Sequence, residues 1–279
     1  MTEYYLEPSL ALKENKKNMG DKMSTHLLEA HMCGFLNKEI VFLGCQGSQN
    51  YNLDNEFSDV DTKLLTLPSF TSLAMNREPV STTRVLKNNE HMDLKDLRLF
   101  IPTLRKQNVN FIEMLFTEYY YVNELYKEEW MKLIAAREEV ARFSPNRTVL
   151  AMTGIAYNKY KVFNNKVSEG FNPELGYDPK QVYQLGRVVE FLERYMEGKD
   201  TYAELLQSKQ RDKLLSLKSG HLSFQEAEEY MNSEIVRIKA LTVDYLAVNR
   251  PEDKEVSRLL DEVQYNIMKL YMKEVIRVL

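Results

Sequence analysis

Cysteine is nearly absent, since the 279-residue chain carries only Cys33 and Cys45. One pair cannot build the disulfide framework of a small secreted domain, and a reducing, cytoplasmic setting is expected. Histidine is scarce as well: His26, His31, His91 and His221 are scattered, without the spacing of zinc ligands, so no structural zinc is expected. No apolar run approaches the ~20 residues of a membrane-spanning helix, and no signal-like segment opens the sequence, so no membrane partner is expected. Charge of one sign is also lacking, because 37 Lys and Arg against 41 Asp and Glu leave a net charge of −4. That balance argues against a polybasic arm and broad nonspecific nucleic-acid binding, while leaving room for a local basic groove. Internal repeats and low-complexity tracts are missing too.

What is present suffices for a sizeable core in two packed parts. Residues 1–20 are polar and lysine-rich and read as an N-terminal arm. Residues 21–122 mix strand and helix signals, and residues 123–279 read almost wholly helical. The expected class is therefore α/β (α+β), a small mixed sheet flanked by helices and followed by a helical domain.

The segment 41–63, VFLGCQGSQNYNLDNEFSDVDTK, concentrates the chemistry. It reads as apolar strand, Gly47-Ser48 turn, polar connection and a second strand carrying Asp59 and Asp61. Alternation along a strand puts Asp59, Asp61 and Lys63 on one side and Val60 in the core. Mg²⁺ prefers oxygen donors and fills its octahedron from one or two carboxylates, water and phosphate oxygens. Asp59 and Asp61 are thus candidate ligands of two Mg²⁺ ions, with Mn²⁺ as a substitute. Gly47 permits a positive φ and close backbone approach, so the turn and the Ser48 hydroxyl can hold a triphosphate. Lys63 either neutralises phosphate charge or is solvated. Asp93 is the candidate third carboxylate, with an N-cap as its alternative role and Glu90 as the fallback. His91, two residues before Asp93, reads as a surface or structurally satisfied histidine.

Gly47-Ser48, ten further residues and Asp59-Val60-Asp61 resemble the signature of the DNA polymerase β nucleotidyltransferase superfamily. The fuller GS..Y.L....SDVD pattern is similar to its YcgL-like, RNA-repair-associated branch. Similarity extends through 93–98 and 108–116 and, more weakly, to the Pro251-Glu252-Asp253 segment. The sequence departs at Asn52, where the branch commonly has Gly, and at Gln184, where it often has His. The resemblance implies a polymerase β-type core with a helical domain closing the nucleotide cleft. It implies Asp59, Asp61 and Asp93 as catalytic and metal-binding residues, NTP as substrate and an RNA 3′ end as acceptor. A protein or small-molecule acceptor, or an inactive nucleotide-binding regulator, are the alternatives.

Expected elements are a helix over 24–35 with Leu27, Leu28, His31 and Met32 on one side, and strands near 40–43 and 59–67. The Ser/Thr-rich stretch 68–83 reads as a loop able to close over substrate. Leu94, Leu97, Phe100, Ile101 and Leu104 form a helical stripe. In the helical part Asn123 and Asp178 are expected N-caps, and Pro179 suits a first turn. Val182, Leu185, Val188, Val189, Leu192 and Tyr195 make a buried stripe. Lys180 and Arg187, two turns apart, are candidate nucleotide contacts that match the branch's Lys and Arg. Tyr157 and Lys161 are a second candidate pair, the ring for the base and the ammonium for phosphate. Gly220-His221 followed by Ser223 and Glu226 reads as a helix stop and capped restart.

Overall fold

The computed structural model describes residues 19–55 and 58–277; the expected N-terminal arm lies almost entirely outside them. Helix α1 (Met19–Met32) leads to strands β1 (Ile40–Gln46) and β2 (Asp61–Thr66). Then come α2 (Phe70–Ala74), β3 (Ser81–Val85), β4 (His91–Asp96), α3 (Leu97–Arg105), α4 (Val109–Ile112) and β5 (Tyr120–Val122). The rest is helical: α5 (Lys127–Ala135), α6 (Arg137–Ala141), α7 (Pro145–Val162), α8 (Pro179–Glu197), α9 (Tyr202–Leu206), α10 (Arg211–Ser219), α11 (Phe224–Ala247) and α12 (Lys254–Ile276). The class is mixed α/β, with one sheet of order β3-β4-β2-β1-β5. Only β2 and β4 pair in parallel; the other neighbours are antiparallel.

Alternation divides the sheet. Leu43, Cys45, Leu64, Met92 and Leu94 pack with Met23, Leu27 and Ala30 of α1. On the other side Phe42 and Leu65 belong to a core that continues through α5, α8, α11 and α12. Asp61 and Lys63 on β2 therefore stand beside His91 and Asp93 on β4, on the face away from α1. Among the described residues no helix is long and apolar enough to cross a membrane.

Several expectations need correction. Helix α1 buries Met23, His26, Leu27 and Ala30, whereas Leu28 and Met32 are exposed. A histidine tolerates the inward position because both ring nitrogens find partners, Thr62 Oγ1 at 2.7 Å and Glu90 Oε2 at 3.0 Å. Stretch 68–83 holds α2 and part of the edge strand β3. Every β3 residue is exposed, so burial left no period-two pattern to read. Leu94 is a strand residue, and the following helix begins at Leu97. Asn123 does not cap α5; its side chain accepts the Leu125 N–H and donates to the Asn37 and Ile40 carbonyls, fastening β1. Asp178 does cap α8, accepting the Lys180 N–H at 2.9 Å with Pro179 in the first turn. The Gly220 stop, in the left-handed region, and the Ser223–Glu226 capping box also stand as read.

Candidate functional site

Strand β2 begins at Asp61, so Asp59 and the buried Val60, expected within the strand, precede it. The inward Val60 leaves Asp59 exposed and Asp61 half-buried on either side of it. One ligand atom from each of Asp59, Asp61 and His91 lies within 4.8 Å of the others. Asp61 Oδ1 accepts the His91 backbone N–H at 2.8 Å and faces His91 Nδ1 at 3.3 Å.

Behind this cluster, Glu90 fixes the backbone. Its carboxylate accepts the Val60 N–H at 3.1 Å, Lys22 Nζ at 2.7 Å, Asn88 Nδ2 at 2.6 Å and pairs with His26. Burial alone would raise the Glu90 pKa, but the bonds from Lys22, His26, Val60 and Asn88 outweigh it and hold it at about 2. Glu90 is thus a permanent anion at neutral pH, turned toward α1 and engaged in positioning.

Asp93 stands mid-strand in β4, opposite Lys63 of β2 and Thr83 of β3. It is not an N-cap, because Asp96 caps α3 by accepting the Arg98 N–H at 2.9 Å. Thr83 Oγ1 donates to Asp93 Oδ1 at 2.6 Å and Gln46 Nε2 to Oδ2 at 3.3 Å. Gln46 pairs in register with Asp61, so one amide bridges the row of Asp61 and the row of Asp93. Asp93 shares the face of Asp61, one strand repeat along, outside the tight cluster of Asp59, Asp61 and His91.

The Gly47-Ser48 bend closes the site from β1. Gly47 has φ 86°, a value that favours glycine, and Asn52 ends the bend at φ 56°. Asparagine is among the few side chains that adopt this region readily. Gln49 Nε2 donates to the Asp59 carbonyl at 2.7 Å, tying the bend to the carboxylates. Beneath lies Glu113, whose carboxylate accepts from Gly47 N–H (3.2 Å), Asn50 Nδ2 (3.1 Å) and Lys63 Nζ (3.1 Å). Lys63 is buried, bonded also to Gln46 Oε1, and has Glu113 as its counter-charge. Its charge is therefore already balanced, and it supports the floor of the site. The Cys45 thiol is pushed up to about 12 by burial and then by Glu113, which suits an inert core side chain.

The helical half contributes a cavity of about 390 Å³ lined by Asn110, Gly154, Asn158, Lys159, Gln184 and Arg187, among others. Arg187 lies 3.9 Å from the centre of the Tyr51 ring, which joins this cavity to the Gly47–Tyr51 bend. Burial, then Arg187 and Lys180, lower the Lys159 pKa from its usual value, a sign of crowded cations. Gln184 Oε1 is shielded and has no hydrogen-bond partner. Lys180 is exposed at the start of α8, within electrostatic reach of Lys159. Tyr157 and Lys161 are exposed on α7 and line no part of the cavity.

The structure groups Asp59 and Asp61 with His91 and sets Asp93 one strand repeat along on the same face. The bend is tied to the Asp59 backbone through Gln49, with the Ser48 hydroxyl bonded to Gln49, and Arg187 and Lys180 lie on the helical side. It sets Tyr157 and Lys161 apart, turns the fallback Glu90 toward α1, brings His91 to Asp61, and adds Glu113 and Lys159. Lys159 follows Ile155 by one helical turn on the cavity-lining side of α7, a phase that choosing 157 and 161 missed. The sequence placed His91 two residues before Asp93 and Glu113 in the segment 108–116, but their partners, Asp61 for His91 and Gly47, Asn50 and Lys63 for Glu113, are set by the fold. No family model matches the chain, and no curated protein matches it either.

Proposed function

We propose that this chain is a metal-dependent nucleotidyltransferase that moves a nucleoside monophosphate from an NTP to an acceptor hydroxyl, releasing pyrophosphate. The observation that carries the reading is the convergence of Asp59 and Asp61 beside the Gly47-Ser48 bend, with Asp93 on the adjoining parallel strand. The sheet is taken as a polymerase β-type core, and the helical half as the wall that closes the nucleotide cleft.

Asp59 and Asp61 fit a hard divalent cation: both are oxygen donors, both reach solvent, and their spacing suits a single coordination shell. When bound, such ions neutralise phosphate charge and acidify the attacking hydroxyl. Ser48 at the bend and Lys159, Lys180 and Arg187 across the cleft complement the triphosphate. Asp93, oriented by Thr83 and Gln46, receives the proton of the acceptor hydroxyl. The acceptor oxygen bonds to the α-phosphorus as the bond to the bridging oxygen of pyrophosphate breaks, and pyrophosphate leaves with its electron pair. An RNA 3′ end is the first acceptor, on the strength of the sequence resemblance.

Pyrophosphate release across the four NTPs, with Mg²⁺ or Mn²⁺ and total RNA, tests the reading. Turnover is expected with at least one NTP, with label appearing in RNA. Asp61→Asn should lower kcat by about 10³-fold, roughly 4 kcal/mol of barrier, with the fold retained by circular dichroism. Label confined to protein or metabolite pools would transfer the chemistry to those acceptors. Tight NTP binding without pyrophosphate release on any acceptor would make the chain a nucleotide-binding regulator, and full activity after the Asp61→Asn substitution would remove the site.

A further inference from the structure

We infer that His91 is an inner ligand of the cation held by Asp59 and Asp61, and that its imidazole makes this site favour Mn²⁺ over Mg²⁺. The inference rests on the proposed function only in taking those two carboxylates as metal ligands.

The geometry supports a three-residue set. Donors each about 2.1 Å from one ion stand about 3 Å apart at right angles and about 4.2 Å apart across it. The mutual limit of 4.8 Å among Asp59, Asp61 and His91 therefore needs only small side-chain rotations to become one shell.

His91 is also free to act as a ligand. Its backbone N–H already serves Asp61 Oδ1 at 2.8 Å, so the ring is not required to hold that carboxylate. The ring contact is longer, 3.3 Å from Nδ1, and Nε2 has no partner among the described residues. The side chain is 43% exposed, so a cation arriving from solvent can reach it. Backbone pairing fixes its place: β2 and β4 run parallel with Thr62 opposite Met92, which sets positions 61 and 91 side by side on one face.

Donor chemistry then decides the ion. Mg²⁺ is strict in its octahedron, prefers oxygen and dehydrates reluctantly. Exchanging a water for an imidazole gains it little. Mn²⁺, a first-row transition ion that takes carboxylate oxygens, gains more from one added nitrogen donor than Mg²⁺ does, so a set of two carboxylates and one imidazole favours it over Mg²⁺ while leaving positions for water and phosphate oxygens.

The test is titration of the full chain with Mn²⁺ and separately with Mg²⁺, by calorimetry, together with pulsed electron paramagnetic resonance of bound Mn²⁺. The wild-type chain should show coupling to a nitrogen nucleus. His91→Gln should lose that coupling and bind Mn²⁺ about tenfold more weakly, with Mg²⁺ affinity changed less than twofold. His91→Asn provides a second variant, and circular dichroism checks that each is folded. Bound Mn²⁺ without nitrogen coupling in the wild type, or equal weakening for both ions, overturns the inference. Asp61→Asn separates it from the proposed function. If that variant loses Mn²⁺ while nitrogen coupling was never present, only the His91 assignment fails; if it binds Mn²⁺ like the wild type, or the wild type binds none, the site itself fails.

Discussion

Asp59 and Asp61 are held in place by a residue that faces away from them. Glu90 accepts the backbone N–H between the two and is followed directly by the histidine whose own N–H reaches Asp61. Its carboxyl sits at about 2, below the ordinary 4.5. A carboxyl that binds protons more weakly in the folded chain than in the unfolded one stabilises the fold above about pH 4.5. That contribution fades as pH falls from there toward 2. Glu90→Gln should therefore destabilise the protein most at pH 7, by less at pH 4 and least at pH 3. Urea unfolding at the three values measures this, and a gap independent of pH would refute the role. None of it was legible from residue 90 alone, because Lys22, His26 and Val60 come to it from distant parts of the chain.

Helices α7 and α8 divide their faces between packing and the cavity they line. The apolar stripe of α8 is buried as its spacing requires, and Arg187 sits on the flank that looks toward Tyr51. On α7 Lys159 lines that cavity. Under the proposed function, Lys159→Ala should raise KM for the NTP about tenfold with little change in kcat, since a charge facing the triphosphate would serve substrate and transition state alike. Steady-state kinetics decides it, and an unchanged KM would remove the cavity from the nucleotide path. Gly186 shows why α8 packs so closely. A Cβ there would stand 2.7 Å from the Tyr230 hydroxyl and 3.0 Å from Leu214. Gly186→Ala should therefore destabilise by about 1–3 kcal/mol even though alanine is the better helix former. A gain in stability by denaturant titration would contradict this packing argument.

At the scale of the whole molecule, the helical half shapes the bend that carries the candidate phosphate contacts. Gln207 Nε2 donates to the Asn50 carbonyl at 2.7 Å and Ser208 N–H to Tyr51 at 3.1 Å. Arg211 reaches the carbonyls of Asn52 and Asp54 at 3.2 and 2.8 Å. One apolar core joins Val41 and Phe42 to α8 and α12. Trp130, the sole tryptophan, is buried where the two parts meet and stacks on Phe42 with ring centres 4.2 Å apart. Tryptophan fluorescence and far-ultraviolet circular dichroism should thus report one coincident unfolding transition. Separate midpoints would show halves that fold independently.

The sequence by itself determined the elements whose cause is local. The apolar Val60 between two carboxylates marked an inward residue with outward neighbours, Gly47 permitted the bend, and the stripe from Val182 to Tyr195 required a buried helix. It also marked Asp178 and Ser223 as caps. Tertiary structure decided what no neighbouring residue encodes. Parallel pairing of β2 with β4 brought His91 to Asp61, folding of 113 under the bend neutralised Lys63, and the phase of α7 presented Lys159 in place of Tyr157 and Lys161. The reason is physical: periodicity and capping act over one or two turns of chain, whereas a site made of charges depends on which distant strands share a face and which counter-charges are already engaged.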